Sequence, residues 1–182
     1  MLFVGSCIVA DPPEYRAPGQ TRPVLNMYSA VPTQTQVLVV DASQGQNPTV
    51  NFSVQIRSED AGEPLRAVFF LDYQMTSRTD PPQFGEFNLS TKFIAASTYD
   101  NVGRFFTYPW LPNSSPRVSG CHYLTLIVAH RSSFQEENEK YLDPRFADDD
   151  AALVTWTVNV LTSPANETTL ASCPAREIPA VP

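Results

Sequence analysis

The sequence predicts an all-β chain, an antiparallel β-sandwich of about seven short strands with Pro-rich extensions. Three observations predict it. Val50, Phe52, Val54 and Ile56 alternate with Asn51, Ser53 and Gln55, the period-two signature of a strand with one apolar and one polar face. Further runs rich in β-branched and aromatic residues are spaced along the chain with turn residues between them. None of these stretches has a convincing amphipathic helical period. At 182 residues, 42% hydrophobic and 17% charged, the chain has room for one domain of ordinary size plus extensions.

In chain order, residues 8–33 read as a Pro-rich tether. Pro12, Pro13, Pro18, Pro23 and Pro32 favour extended backbone, and about 22 such residues span roughly 70 Å at about 3.1 Å each. Val24, Leu25, Met27 and Tyr28 are out of place in a solvated spacer, which points to that part docking on the domain. Residues 35–40 form a short β-rich run, and 50–56 the alternating strand. Residues 67–73, nearly continuous in apolar side chains, read as a central strand. Residues 87–96 and 104–110 are weaker, interrupted around Asn101, Gly103 and Pro109, as edge strands tolerate. Residues 122–128 and 153–160 complete the series, and 162–182 form a Pro-rich tail.

The run Gly120-Cys121-His122-Tyr123-Leu124-Thr125-Leu126-Ile127-Val128 resembles the penultimate strand of bacterial immunoglobulin-like and fibronectin-III-like domains. The resemblance covers residues 34–161 and implies fold, not activity. It implies that His122, Leu124, Leu126 and Val128 face inward and Cys121, Tyr123, Thr125 and Ile127 outward, with Val154, Trp156, Val158 and Val160 in the core. The strand at 50–56 has no Cys, so the inter-sheet bridge of antibody domains cannot form.

At the other end, Val4-Gly5-Ser6-Cys7 follows a short apolar start and precedes an abrupt polar, Pro-rich turn. It resembles the lipobox of bacterial lipoproteins, which implies that residues 1–7 are the end of a signal peptide and that Cys7 is lipidated. The match lacks the usual basic start, and its apolar stretch is short, so the true start is expected upstream. The alternative is a short first strand with a buried Cys. If Cys7 carries lipid, Cys121 and Cys173 remain as an even pair in an oxidising compartment. The expected bridge clips the C-terminal tail to the outer face of the sheet; two free thiols are the alternative.

Candidate chemistry is sparse. Net charge −7, with only 12 Lys+Arg, opposes nucleic acid as a partner. His122 and His130 lie eight positions apart on one strand, about 26 Å, too far to share a metal. His122 reads as a hydrogen-bonded sandwich residue. No Gly-x-Ser-x-Gly elbow is present, and the last strands contain no Met and a single Cys, which does not make up a blue-copper site. No catalytic residue, cofactor or metal is expected. Residues 131–150 form a connection far longer than a hairpin needs. Its carboxylates lack the spacing of a calcium loop. The plainest reading is a solvated acidic loop with one helical turn at 134–141. Phe134, Tyr141 and Phe146, interleaved with charge and followed by Asp148, Asp149 and Asp150, form a candidate partner loop.

The expected function is a non-enzymatic, lipid-anchored envelope protein with a structural or protein-interaction role. It would be held at the outer membrane through its N-terminal lipid, with its domain exposed to the periplasm or exterior and an envelope protein as partner. One alternative is an adhesin or ligand-binding module using 131–150. Sequons at Asn51, Asn88, Asn113 and Asn166 support another, a secreted N-glycosylated ectodomain. An enzyme working through Asp or Glu residues is the weakest reading.

Overall fold

The computed structural model describes residues 21–43, 47–58, 63–73, 87–95, 103–114, 119–134, 150–162 and 173. Within them are eight strands: β1 (Val24–Val31), β2 (Leu38–Asp41), β3 (Val50–Arg57), β4 (Leu65–Leu71), β5 (Phe87–Ile94), β6 (Arg104–Trp110), β7 (Gly120–His130) and β8 (Ala152–Leu161). A three-stranded sheet has the order β1-β3-β6, and a five-stranded sheet the order β2-β8-β7-β4-β5. All pairs are antiparallel except β2 with β8, which run parallel. Two facing sheets, with the first edge of the chain divided between them and the last two strands paired beside β4, make an immunoglobulin-like sandwich.

The alternating strand folds as its pattern requires. Phe52, Val54 and Ile56 of β3 are buried against Phe106 and Trp110 of β6, and Leu65, Ala67, Phe69 and Leu71 face them from β4. Val154, Trp156, Val158 and Val160 of β8 and Leu124, Leu126 and Val128 of β7 complete the core. Its centre is aromatic: the Phe52 ring lies 5.6 Å from Phe69, 6.1 Å from Trp110 and 5.2 Å from Trp156, tilted or edge-on. Gly120, at φ 88, opens β7 in a conformation that side-chain-bearing residues avoid.

Three expectations are corrected. Residues 8–33 are not a tether throughout: Val24–Val31 is a domain strand, with Val24, Leu25 and Asn26 in register with Arg57, Ile56 and Gln55. Leu25 and Ala30 are buried in the core, and the Trp156 indole donates to Pro32 O at 2.7 Å. Second, the outward face of the five-stranded sheet is covered around β4 and β7, although Val39 and Phe93 stay exposed towards its edges. Ile127 and Ala129 pack with Val68, Phe70, Tyr73, Phe134 and Ala151 in a second apolar cluster. Nearby Thr125 and Thr155 join hydroxyl to hydroxyl at 3.0 Å. Third, His122 sits at the rim, partly exposed, rather than in the core.

The weak strands are edges, as their interruptions predicted. β5 and β6 end the two sheets on the same side, where the Lys92 ammonium donates to Thr107 O and the Tyr108 hydroxyl to Leu89 O at 3.2 Å. These bonds occupy edge carbonyls that would otherwise recruit another strand. Gly103, which reads as an interruption, is a close approach: a Cβ there would collide with the Gln55 side chain.

Candidate functional site

The connection between β7 and β8 leaves the sandwich from a built base. β7 ends in His130, whose imidazole is wholly buried, and a 3-10 turn follows at Arg131–Ser133. Twenty positions along the chain, Asp150 returns to it. One Asp150 oxygen meets His130 Nδ1 at 2.5 Å, and the other accepts the His130 backbone N–H at 2.9 Å and the Ser133 hydroxyl. Asp150 is itself buried, so three donors converge on a carboxylate shielded from water. That satisfies the desolvated charge and ties the two ends of the connection together.

The β3–β4 connection braces the same base. Arg131 N–H donates to Pro64 O at 3.0 Å, and the Ser132 hydroxyl to Glu63 Oε1 at 2.6 Å. Ser58 Oγ lies 3.5 Å from His130 Nε2. Serine, histidine and aspartate are thus connected in the order of a hydrolase triad. The Ser–His separation is at the outer limit of a hydrogen bond, and the imidazole presents no surface to a substrate. In this structure the set works as a latch. Beside it the buried Arg66 guanidinium stands 4.9 Å from the Phe93 ring and 5.4 Å from the Phe134 ring, with Arg131 5.4 Å from Phe93.

Two residues of the candidate partner loop are therefore corrected. Phe134 is 3% exposed and roofs the second apolar cluster; Asp150 is 7% exposed and holds His130. Neither is displayed for a partner. Both were read as loop residues because neither β7 nor β8 contains them, and no local pattern says that Asp150 folds back on His130. Tyr141, Phe146, Asp148 and Asp149 lie outside the described residues, as does the helical turn expected at 134–141 beyond Phe134. Cys7 lies outside them too.

The opposite end carries a second histidine–aspartate pair. Asp72, just past β4 at φ 53, accepts the Tyr123 N–H on Oδ1 at 2.9 Å and meets His122 Nδ1 on Oδ2 at 2.7 Å. The other ring nitrogen faces Ser119 O at 3.0 Å. Both partners are acceptors, an arrangement that favours the protonated ring, and the hydrogen bond to Asp72 is the main cause that raises the His122 pKa above its ordinary value. Cys121, the residue before it, is disulfide-bonded to Cys173, with Cα atoms 5.6 Å apart. Cys173 is thereby held beside β8, where its sulfur lies 3.8 Å from Val158 O.

Among the described residues no three His, Cys, Asp or Glu side chains gather as metal ligands, and no helix is long and apolar enough to cross a membrane.

No protein-family model matches the chain, and no curated protein matches it. Among solved structures it is similar to AggA, the major subunit of aggregative adherence fimbriae type I from Escherichia coli. The identity is 9%, over 79% of this chain and 97% of that one, with a TM-score of 0.37. The CARDB domain of the PF1109 protein from Pyrococcus furiosus, in complex with di-metal ions, matches at 13% identity over 69% and 82%, with a TM-score of 0.36. The PapD-like domain 7 of human CEP192 matches at 6% over 90% and 100%, with a TM-score of 0.32. Likeness of this size says nothing of ligand or partner; the strand order assigns the fold.

Proposed function

We propose that this chain is a non-enzymatic, lipid-anchored envelope protein whose sandwich has a structural or protein-interaction role. The observation that carries the reading is the Cys121–Cys173 disulfide, since such bonds persist in oxidising compartments. It leaves Cys7 as the one remaining thiol of the chain, within the lipobox-like Val4-Gly5-Ser6-Cys7. Intact mass spectrometry of the membrane fraction, from a gene carrying its upstream codons, tests it. A diacyl or triacyl mass beginning at Cys7 and lost in Cys7→Ala supports the anchor; an unlipidated chain retaining Met1 removes it.

The second reading, an adhesin or ligand-binding module, is favoured by the base under the β7–β8 connection. His130, Ser133 and Asp150 hold its two feet, so contact residues between them would be presented from a fixed frame. Replacing residues 135–149 with a short Gly-Ser linker, while keeping His130 and Asp150, should abolish envelope-partner capture with little change in melting temperature. Unchanged capture sinks this reading. The glycosylated-ectodomain alternative has an exposed Asn51 within Asn-Phe-Ser, and a glycosidase-sensitive mass shift after eukaryotic secretion would establish it.

A further inference from the structure

The two outer faces of the sandwich differ. That of the five-stranded sheet is covered around β4 and β7 by a second apolar cluster, with Val39 and Phe93 exposed towards its edges, whereas that of the three-stranded sheet is bare. Val24 (59% exposed), Val31 (56%) and Phe105 (65%) project from this bare face. Between Val24 and Val31 the edge strand is irregular: Asn26 pairs with Gln55 but Val31 with Ser53, so β1 spends five steps where β3 spends two. The Ser29 hydroxyl fills the interruption, accepting the Gln55 N–H at 2.9 Å and donating to Asn26 O at 2.6 Å. The excess backbone thrusts Met27 and Tyr28 outward, and Tyr28 is fully exposed. These side chains are five of the eight exposed large hydrophobic residues among those described.

The centre of the face is polar and almost uncharged: Asn51, Ser53 and Gln55 on β3, with Arg57 at its end. None of β1, β3 and β6 contains an Asp or Glu, although the chain has 19. An apolar and aromatic rim around an uncharged polar centre suits the boundary between phospholipid headgroups and acyl chains, where Tyr is enriched. The missing carboxylates spare the face repulsion from lipid phosphates. A face-to-face second copy related by an axis along the strands would set Arg57 against its like, and in any arrangement the polar centres would have to pair. Among the described strands β1 is the first after Cys7, with 16 residues between Cys7 and Val24. A lipid there keeps this face at high effective concentration near the bilayer.

The geometry points to a phospholipid surface as the occupant of this face, with Val24, Met27, Tyr28, Val31 and Phe105 entering the interface so that the sandwich lies flat on its membrane. The anchor reading supplies the delivery; the face supplies the orientation.

The test uses the full chain with its disulfide intact, coupled through Cys7 to a maleimide phospholipid in phosphatidylcholine vesicles containing brominated acyl chains. Tyr28→Trp reports on the bare face, and Phe93→Trp, at an exposed position on β5 of the other sheet, is the control. The unsubstituted chain gives the background from buried Trp110 and Trp156. Bromolipid should cut the added Tyr28→Trp emission about twofold and leave Phe93→Trp nearly unchanged. Glutamate at Val31 and Phe105 together should abolish the quenching. Equal quenching at both positions, or none at Tyr28→Trp, overturns the proposal. A dimer by sedimentation without lipid, lost on Tyr28→Glu, overturns it in favour of a second copy. Because coupling replaces cellular acylation, failure here refutes the docking alone, while the membrane-fraction mass measurement decides the anchor.

Discussion

Replacing Asp150 with alanine removes a carboxylate that a surface-loop reading would make dispensable. In the structure it is buried and accepts from the His130 ring, the His130 N–H and the Ser133 hydroxyl. A hydrogen bond to a charged group contributes about 1.5–3 kcal/mol net, and breaking a buried polar pair by removing one partner costs about 3–5 kcal/mol. The three bonds share one acceptor and do not add, so the expected loss is about 4 kcal/mol. In a domain of this size each kcal/mol lowers the melting temperature by about 2–4 °C, which places the variant about 8–16 °C below wild type. Asp150→Asn keeps the shape and one acceptor oxygen but sets an amide N–H₂ against a donor, and should lose about half as much. Urea unfolding of the oxidised protein, read as a shifted midpoint at unchanged slope, measures both. A loss within about 0.5 kcal/mol for Asp150→Ala, the range of ordinary surface substitutions, would refute the latch.

Other outcomes follow from the same geometry. The raised His122 pKa means that the native state binds this proton more tightly than the unfolded chain. Its stabilisation is complete below the ordinary value of 6.5 and is lost as pH rises through the native pKa; the stability gap between wild type and His122→Gln should therefore narrow over that interval. Cys173→Ser opens a loop with a sequence separation of 52, for which the chain-entropy estimate is about 4 kcal/mol as an upper figure; urea midpoints with and without reductant should coincide in the variant and differ in wild type. Phe52→Ala, in the centre of the aromatic core, should cost about 3–5 kcal/mol, whereas Phe105→Ala, mostly in solvent, should stay within about 0.5 kcal/mol in the lipid-free protein. Matching losses in thermal melts would contradict the assigned faces.

Composition and alternation alone were enough for the class of fold and most of its strands. Side-chain direction in a strand alternates by covalent geometry, so Val50, Phe52, Val54 and Ile56 declare their face without knowledge of a partner. The same rule carried Val154, Trp156, Val158 and Val160, and the interruptions at Gly103 and Pro109 marked β6 as an edge. The Cys121–Cys173 bond followed from an even pair once Cys7 was set aside. Long-range contacts decided the rest. Val24, Leu25, Met27 and Tyr28 pointed to docking within a stretch that its Pro residues marked as tether, but only pairing with β3 and the Trp156–Pro32 bond make β1 a strand of the domain. Alternation puts Cys121, Tyr123, Thr125 and Ile127 on the outward face of β7 but cannot tell whether that face is also covered, as it is at Ile127 and Ala129. At the candidate site, Asp150 and Phe134 appeared as members of a charged loop. Only folding carries Asp150 back across twenty positions to a buried imidazole, and Phe134 over Val68 and Ile127. Their roles come from which groups lose water together, a property of tertiary contact that no periodicity encodes.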